Sequence, residues 1–144
     1  MTTPSDAALL DTNILVYAAD SSAAHHSSCL SLLERGDAGQ FSFVLTPQIL
    51  AEFIAVVTNP NGLSPIPRED AYLHVEELAR TFPILVPTPQ VVDRFLELLR
   101  ATKVSGKRSH DVLHAATMLE NGVSRIYTYD RGFTAIPGIT VLTP

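Results

Sequence analysis

The sequence predicts an α/β fold, a three-layer α/β/α sandwich around a central parallel sheet of about five strands. Short apolar runs alternate with segments of helical length, as in folds whose strands are joined by crossover helices. The first run, Ala7–Leu10, is apolar throughout, as a strand covered on both faces must be. A length of 144 residues suits one core, so a single domain over residues 1–144 is expected.

Taken in order, the strands are read at Ala7–Leu10, Phe41–Leu45, Ile84–Val86, Arg125–Thr128 and Ile139–Leu142, each brief and bounded by turn residues. Asn13 begins the helix after the first strand, and a helix over Ala23–Arg35 is closed by Gly36. Pro47–Thr58 has proline in its first turn and stops before Asn59-Pro60. Helices are expected at Arg68–Arg80 after Pro67 and at Gln90–Ala101 after Pro89. The last, Ser109–Asn121, has Ser109 as its N-cap and Gly122 at the left-handed closing position. The proline-rich stretch 59–67 is a loop between two helices, since neither side is long enough to stand alone.

Composition narrows the function classes. Hydrophobic residues at 46% and charged residues at 17% are ordinary for a soluble globular chain. No run of 18 apolar residues occurs and Met1–Asp6 lacks a basic leader, so neither a membrane span nor a signal peptide is expected, and a cytoplasmic location is. Cys29 is the only cysteine, which excludes an internal disulfide and a thiolate zinc cluster. The net charge of −5 argues against a protein that coats nucleic acid. Yet Arg94, Arg100, Lys103, Lys107 and Arg108 fall close together, either as a solvated face or as a phosphate-binding rim.

Four acids carry the chemistry. Asp11 directly follows the first strand and Asp130 lies two residues beyond the fourth, so both belong at the carboxyl edge of the sheet, where ligands collect in open parallel sheets. Glu52 is the sole charged residue between Phe41 and Asn59, and Asp111 lies in the first turn of its helix. Taken singly, Asp111 suits a helix start, Asp130 suits a turn, Glu52 suits a solvent-facing helix position and Asp11 suits a helix cap. Taken together, clustered carboxylates repel and either protonate or recruit a cation, and hard oxygen donors select Mg²⁺ or Mn²⁺. Such an ion polarises a phosphodiester and lowers the pKa of a bound water, so phosphodiester hydrolysis is the implied reaction.

Those residues also carry a family likeness. "LLDTNILVYAAD", Glu52 within "TPQILAEFIAV", "SHDVLHAATMLENG" and "RIYTYDRGF" together resemble a PIN-domain ribonuclease of the VapC type, the toxin of a bacterial toxin–antitoxin pair. By position, Asp11, Glu52, Asp111 and Asp130 match the family's acidic quartet, Asn13 the asparagine after the first acid, and Thr128 the hydroxyl residue two before the last. The resemblance implies Mg²⁺- or Mn²⁺-dependent cleavage of RNA, inhibition by a cognate antitoxin, and a homodimer.

On that reading Asp11, Asp111 and Asp130 hold the metal, while Glu52 orients or deprotonates the attacking water or binds a second ion. Asn13 and Thr128 fix the carboxylates by hydrogen bonds, and Lys107, Arg108 and Arg131 contact RNA phosphates. His110 and His114, four apart beside Asp111, are expected as polar residues at the pocket rim more than as metal ligands. Phe53, Phe95 and Tyr17 are expected in the core, and Phe133 as a buttress of the loop after Asp130. The alternative reading is a PIN-like module that binds RNA or protein with little or no turnover. A phosphoacceptor domain would want a lysine after the fifth strand, and a haloacid-type phosphatase a second acid at position 13, where the chain has Asn13.

Overall fold

The computed structural model describes residues 3–144. Its sheet has four parallel strands, β1 (Ala8–Leu10), β2 (Phe43–Val44), β3 (Arg125–Tyr127) and β4 (Thr140–Leu142), in the order β2-β1-β3-β4. Ala8 pairs with Phe43 on one side of β1 and with Arg125 on the other. Ala8, Leu9 and Leu10 are all buried although successive side chains face opposite ways, so helices cover both faces of the sheet and the three-layer expectation holds.

The helices are α1 (Thr12–Ala19), α2 (His26–Asp37), α3 (Pro47–Val57), α4 (Arg68–Thr81), α5 (Gln90–Thr102) and α6 (Ser109–Glu120). Helix α1 packs on α2 and α3, α3 on α4, and α5 on α6. Among the described residues no helix is long and apolar enough to cross a membrane. From β1 the chain moves to β2 on one flank, then crosses to β3 on the other. The topological switch point therefore lies between the carboxyl ends of β1 and β3, which fixes where a site forms.

The expected strand Ile84–Val86 is reduced to one isolated bridge between Leu45 and Ile84. Leu45 N–H donates to the Pro83 carbonyl and Leu85 N–H to the Leu45 carbonyl, at 2.9 and 2.8 Å. The next rungs in either direction call on N–H groups at positions 47, 83 and 87, and all three are proline. Four strands replace five for that reason.

Two helix ends also differ from expectation. Helix α2 runs through Gly36 to Asp37; a side chain at Gly36 would meet the Phe43 ring, so the glycine serves close packing, and the left-handed residue is Gly39 (φ +80°). Ser109 does not cap α6, since a single 3₁₀ turn over Gly106–Arg108 leads straight into that helix and the Ser109 hydroxyl donates to the Gly106 carbonyl. By contrast, Thr46 caps α3 by accepting from Ile49 N–H, with Pro47 in the first turn, and Gly122 closes α6 at φ +74°.

Candidate functional site

Asp11 ends β1 and caps α1, with its Oδ1 accepting from Thr12 N–H at 2.8 Å. Its Oδ2 accepts from the Thr128 hydroxyl at 2.7 Å and from Asn13 Nδ2 at 3.4 Å. Asp11 is thus a helix cap that also stands at the carboxyl edge of the sheet. Thr128 is the hub: its oxygen also accepts from Asn13 Nδ2 and from Asp130 N–H, while Asn13 Oδ1 accepts from Tyr129 N–H. This network ties the end of β1 to the end of β3, as expected for Asn13 and Thr128. Burial raises the Asp11 carboxyl above its ordinary value, and the Thr128 hydrogen bond only partly offsets it.

Glu52 reaches the same edge from α3. Its Oε2 accepts from the Thr12 hydroxyl at 2.9 Å, and its Oε1 from Gln48 Nε2 at 3.0 Å. His114 Nε2 lies 3.2 Å from both oxygens. Burial pushes the Glu52 carboxyl up, but the hydrogen bond and positive charge of His114, with donation by Thr12 and Gln48, outweigh burial and hold it at about 2.

Asp111, in the first turn of α6, faces Asp130 across the 3.5–3.6 Å contacts that both make to Arg108. Burial raises the Asp111 carboxyl, as do the charges of Asp130 and Asp11, against the opposing charge of Arg108. Asp130 Oδ1 also accepts from Gly132 N–H at 2.8 Å, opening a 3₁₀ turn over Arg131–Ala135 in which Phe133 is wholly buried.

The structure therefore gathers all four predicted acids at the switch point. The donor set suits a divalent cation, because two of its carboxylates, Asp11 and Asp111, are held in surroundings that disfavour their own ionisation. Lys107 and Arg131 are exposed and next in sequence to Arg108 and Asp130, whereas Arg108 is engaged with the acids. Arg94 is bound to Glu120 at 2.9 Å, so the basic run is not one continuous rim.

His114 corrects the sequence reading. It is not at the rim but 2% exposed, and one ligand atom each from Asp11, Glu52 and His114 lie within 4.8 Å of one another. Its Nδ1 is buried without a partner, so an N–H there would be an unsatisfied donor. The Nε2–H is accordingly assigned as the proton that the ring donates to Glu52. Metal on Nε2 would move the proton to Nδ1, against the usual support of a ligating histidine by an acceptor, so the geometry favours a donor over a ligand. The three-residue step from Asp111 on one helix face was the available signal. His110 lies exposed at the rim, 3.4 Å from Gln48. Thr12, Gln48 and His25, whose ring stacks on Tyr129 at 4.0 Å, were not singled out as parts of this region.

The PIN domain family model matches residues 8–139. The chain belongs to the PIN-domain family. No curated protein matches it in sequence. Among solved structures this PIN domain is similar to VapBC2 from Rickettsia felis bound to a DNA fragment from their promoter, at 19% identity and TM-score 0.68 over 95% of this chain and 98% of that one. It is similar to the Mycobacterium tuberculosis sarcin-ricin loop cleaving toxin VapC20, at 17% identity and TM-score 0.66 over 88% and 92%. VapBC-1 from nontypeable Haemophilus influenzae follows at 16% identity and TM-score 0.65, over 95% and 97%. At these identities the likeness is one of fold.

The lowered Glu52 carboxyl makes a stability prediction for this PIN domain. A folded-state value of about 2 against an ordinary 4.5 means that ionised Glu52 stabilises the fold above 4.5, a contribution lost as pH falls from 4.5 towards 2. Glu52→Gln should remove it, so the wild type's advantage in thermal midpoint should shrink across that window. A difference between the two proteins that stays constant from pH 5 to about 2 would refute the assignment.

Proposed function

We propose that this PIN domain is a Mg²⁺- or Mn²⁺-dependent endoribonuclease and acts as the toxin of a toxin–antitoxin pair. The observation that carries the reading is the meeting of Asp11, Glu52, Asp111 and Asp130 at one end of the sheet, with two of the carboxylates raised in pKa. Asp11, Asp111 and Asp130 would hold the metal, which supplies charge neutralisation at the phosphodiester and acidifies a bound water. Asn13 and Thr128 keep Asp11 in a fixed orientation through bonds of 2.7–3.4 Å. Glu52, at about 2, is a weak proton acceptor, so its role is to orient the attacking water more than to deprotonate it. Lys107 and Arg131 meet the RNA backbone at the rim.

The antitoxin partner is supported by likeness to two VapBC structures, and a homodimer is only what the VapC resemblance implies. The binding-module alternative has no observation in its favour here, because nothing in the quartet is substituted. Product ends test the reaction class. Water attack assisted by metal leaves a 5′-phosphate and a 3′-hydroxyl, whereas attack by the ribose 2′-hydroxyl leaves a 2′,3′-cyclic phosphate. The first set of ends on a cleaved RNA oligonucleotide is expected, and the second would overturn the mechanism.

A further inference from the structure

The side chain of Arg108 is seated inside the acidic cluster. Its Nη2 lies 3.6 Å from Asp111 Oδ2 and 3.5 Å from Asp130 Oδ1, so one nitrogen bridges two of the candidate metal ligands. The seat is completed by Gly132, where an added Cβ would fall on that same nitrogen. Gly132 has no positive φ, so its lack of a side chain is not required by the backbone there. The guanidinium occupies the space that a side chain there would take. Asp130 Oδ1 also accepts from Gly132 N–H, which holds carboxylate and glycine together as one surface. Outward, the Arg108 side chain is 50% exposed, so it can leave without unpacking the core.

We propose that Arg108 is a built-in counter-cation that occupies the space between Asp111 and Asp130 and competes with the divalent ion, setting the metal affinity of the site. The inference rests on the metal-site reading above and adds a residue that acts against the metal. A guanidinium is always charged and binds carboxylates by directed bonds, so an ion entering between these acids must displace it or sit beside its charge. Once displaced, it stands at the rim with Lys107, beside the approach of the phosphate backbone. Ion entry would thus turn Arg108 from a partner of the acids into a partner of RNA.

The test is Mn²⁺ titration by calorimetry, without RNA, on wild type, Arg108→Gln and Gly132→Ala, with thermal melts to confirm folding. Arg108→Gln removes the competing charge, while Gly132→Ala keeps the charge but fills its seat. Both variants are expected to bind Mn²⁺ more tightly, by about 3- to 10-fold for a half-exposed charge in moderate salt. Equal affinity in all three proteins overturns the proposal while leaving the metal site standing. Tightening in Arg108→Gln alone overturns the seat, since net charge then accounts for the effect. No Mn²⁺ binding in any of the three overturns the functional reading itself, and the proposal with it.

Discussion

Asp11→Asn is expected to lower RNA cleavage by at least about 100-fold while the protein stays folded. Asparagine is as good an N-cap as aspartate, so the bond from Thr12 N–H survives and α1 keeps its start. What disappears is a negative charge at a position only 7% exposed. Because burial raises the Asp11 carboxyl above its ordinary 3.8, ionisation is disfavoured in the folded state, and above that pH the charge costs stability. In chelator, Asp11→Asn should stay folded, because the charge it removes is one that burial disfavours, set against the acceptor that the Thr128 hydroxyl and Asn13 Nδ2 lose. Loss of activity with retained stability separates a metal ligand from a structural cap. Full cleavage by a folded Asp11→Asn protein would remove this residue from the mechanism.

Phe133→Ala is expected to cost about 3–5 kcal/mol of folding free energy, as large aromatic truncations in well-packed cores do. Against a typical domain stability of about 5–15 kcal/mol, this is a large share. Phe133 is wholly buried in the turn that Asp130 opens by accepting from Gly132 N–H, so the residue anchors the loop that carries the fourth acid. Denaturant unfolding should show a lower midpoint with little change in slope. A cost below about 1 kcal/mol would mean that the loop repacks freely and that Phe133 does not buttress the site.

How much of this was legible depends on which residues act locally. Asp11 was legible because an apolar strand ended in a carboxylate, and Asp130 because it followed a second strand at the same sheet edge. Glu52 stood out by contrast with its apolar helix, and Gly122 and Pro47 marked helix ends by backbone rules that need no tertiary context. The edge strand expected at Ile84–Val86 does not form because a hydrophobic pattern says nothing of hydrogen-bond supply, which Pro47, Pro83 and Pro87 remove. By sequence alone Arg108 suits a phosphate contact. Its seat depends on Gly132, 24 positions away, and no local rule links them. His114 was likewise ambiguous until α3 brought Glu52 against it, since a histidine beside an acid on one helix suits a rim as well as a floor.

The most direct test of the account is cleavage of a single-stranded RNA by the purified protein, first in excess chelator and then after restoring Mg²⁺ or Mn²⁺. Cleavage that vanishes in chelator and returns with either ion is the result predicted by four carboxylates gathered at one sheet edge. Cleavage that continues undiminished in chelator would contradict it.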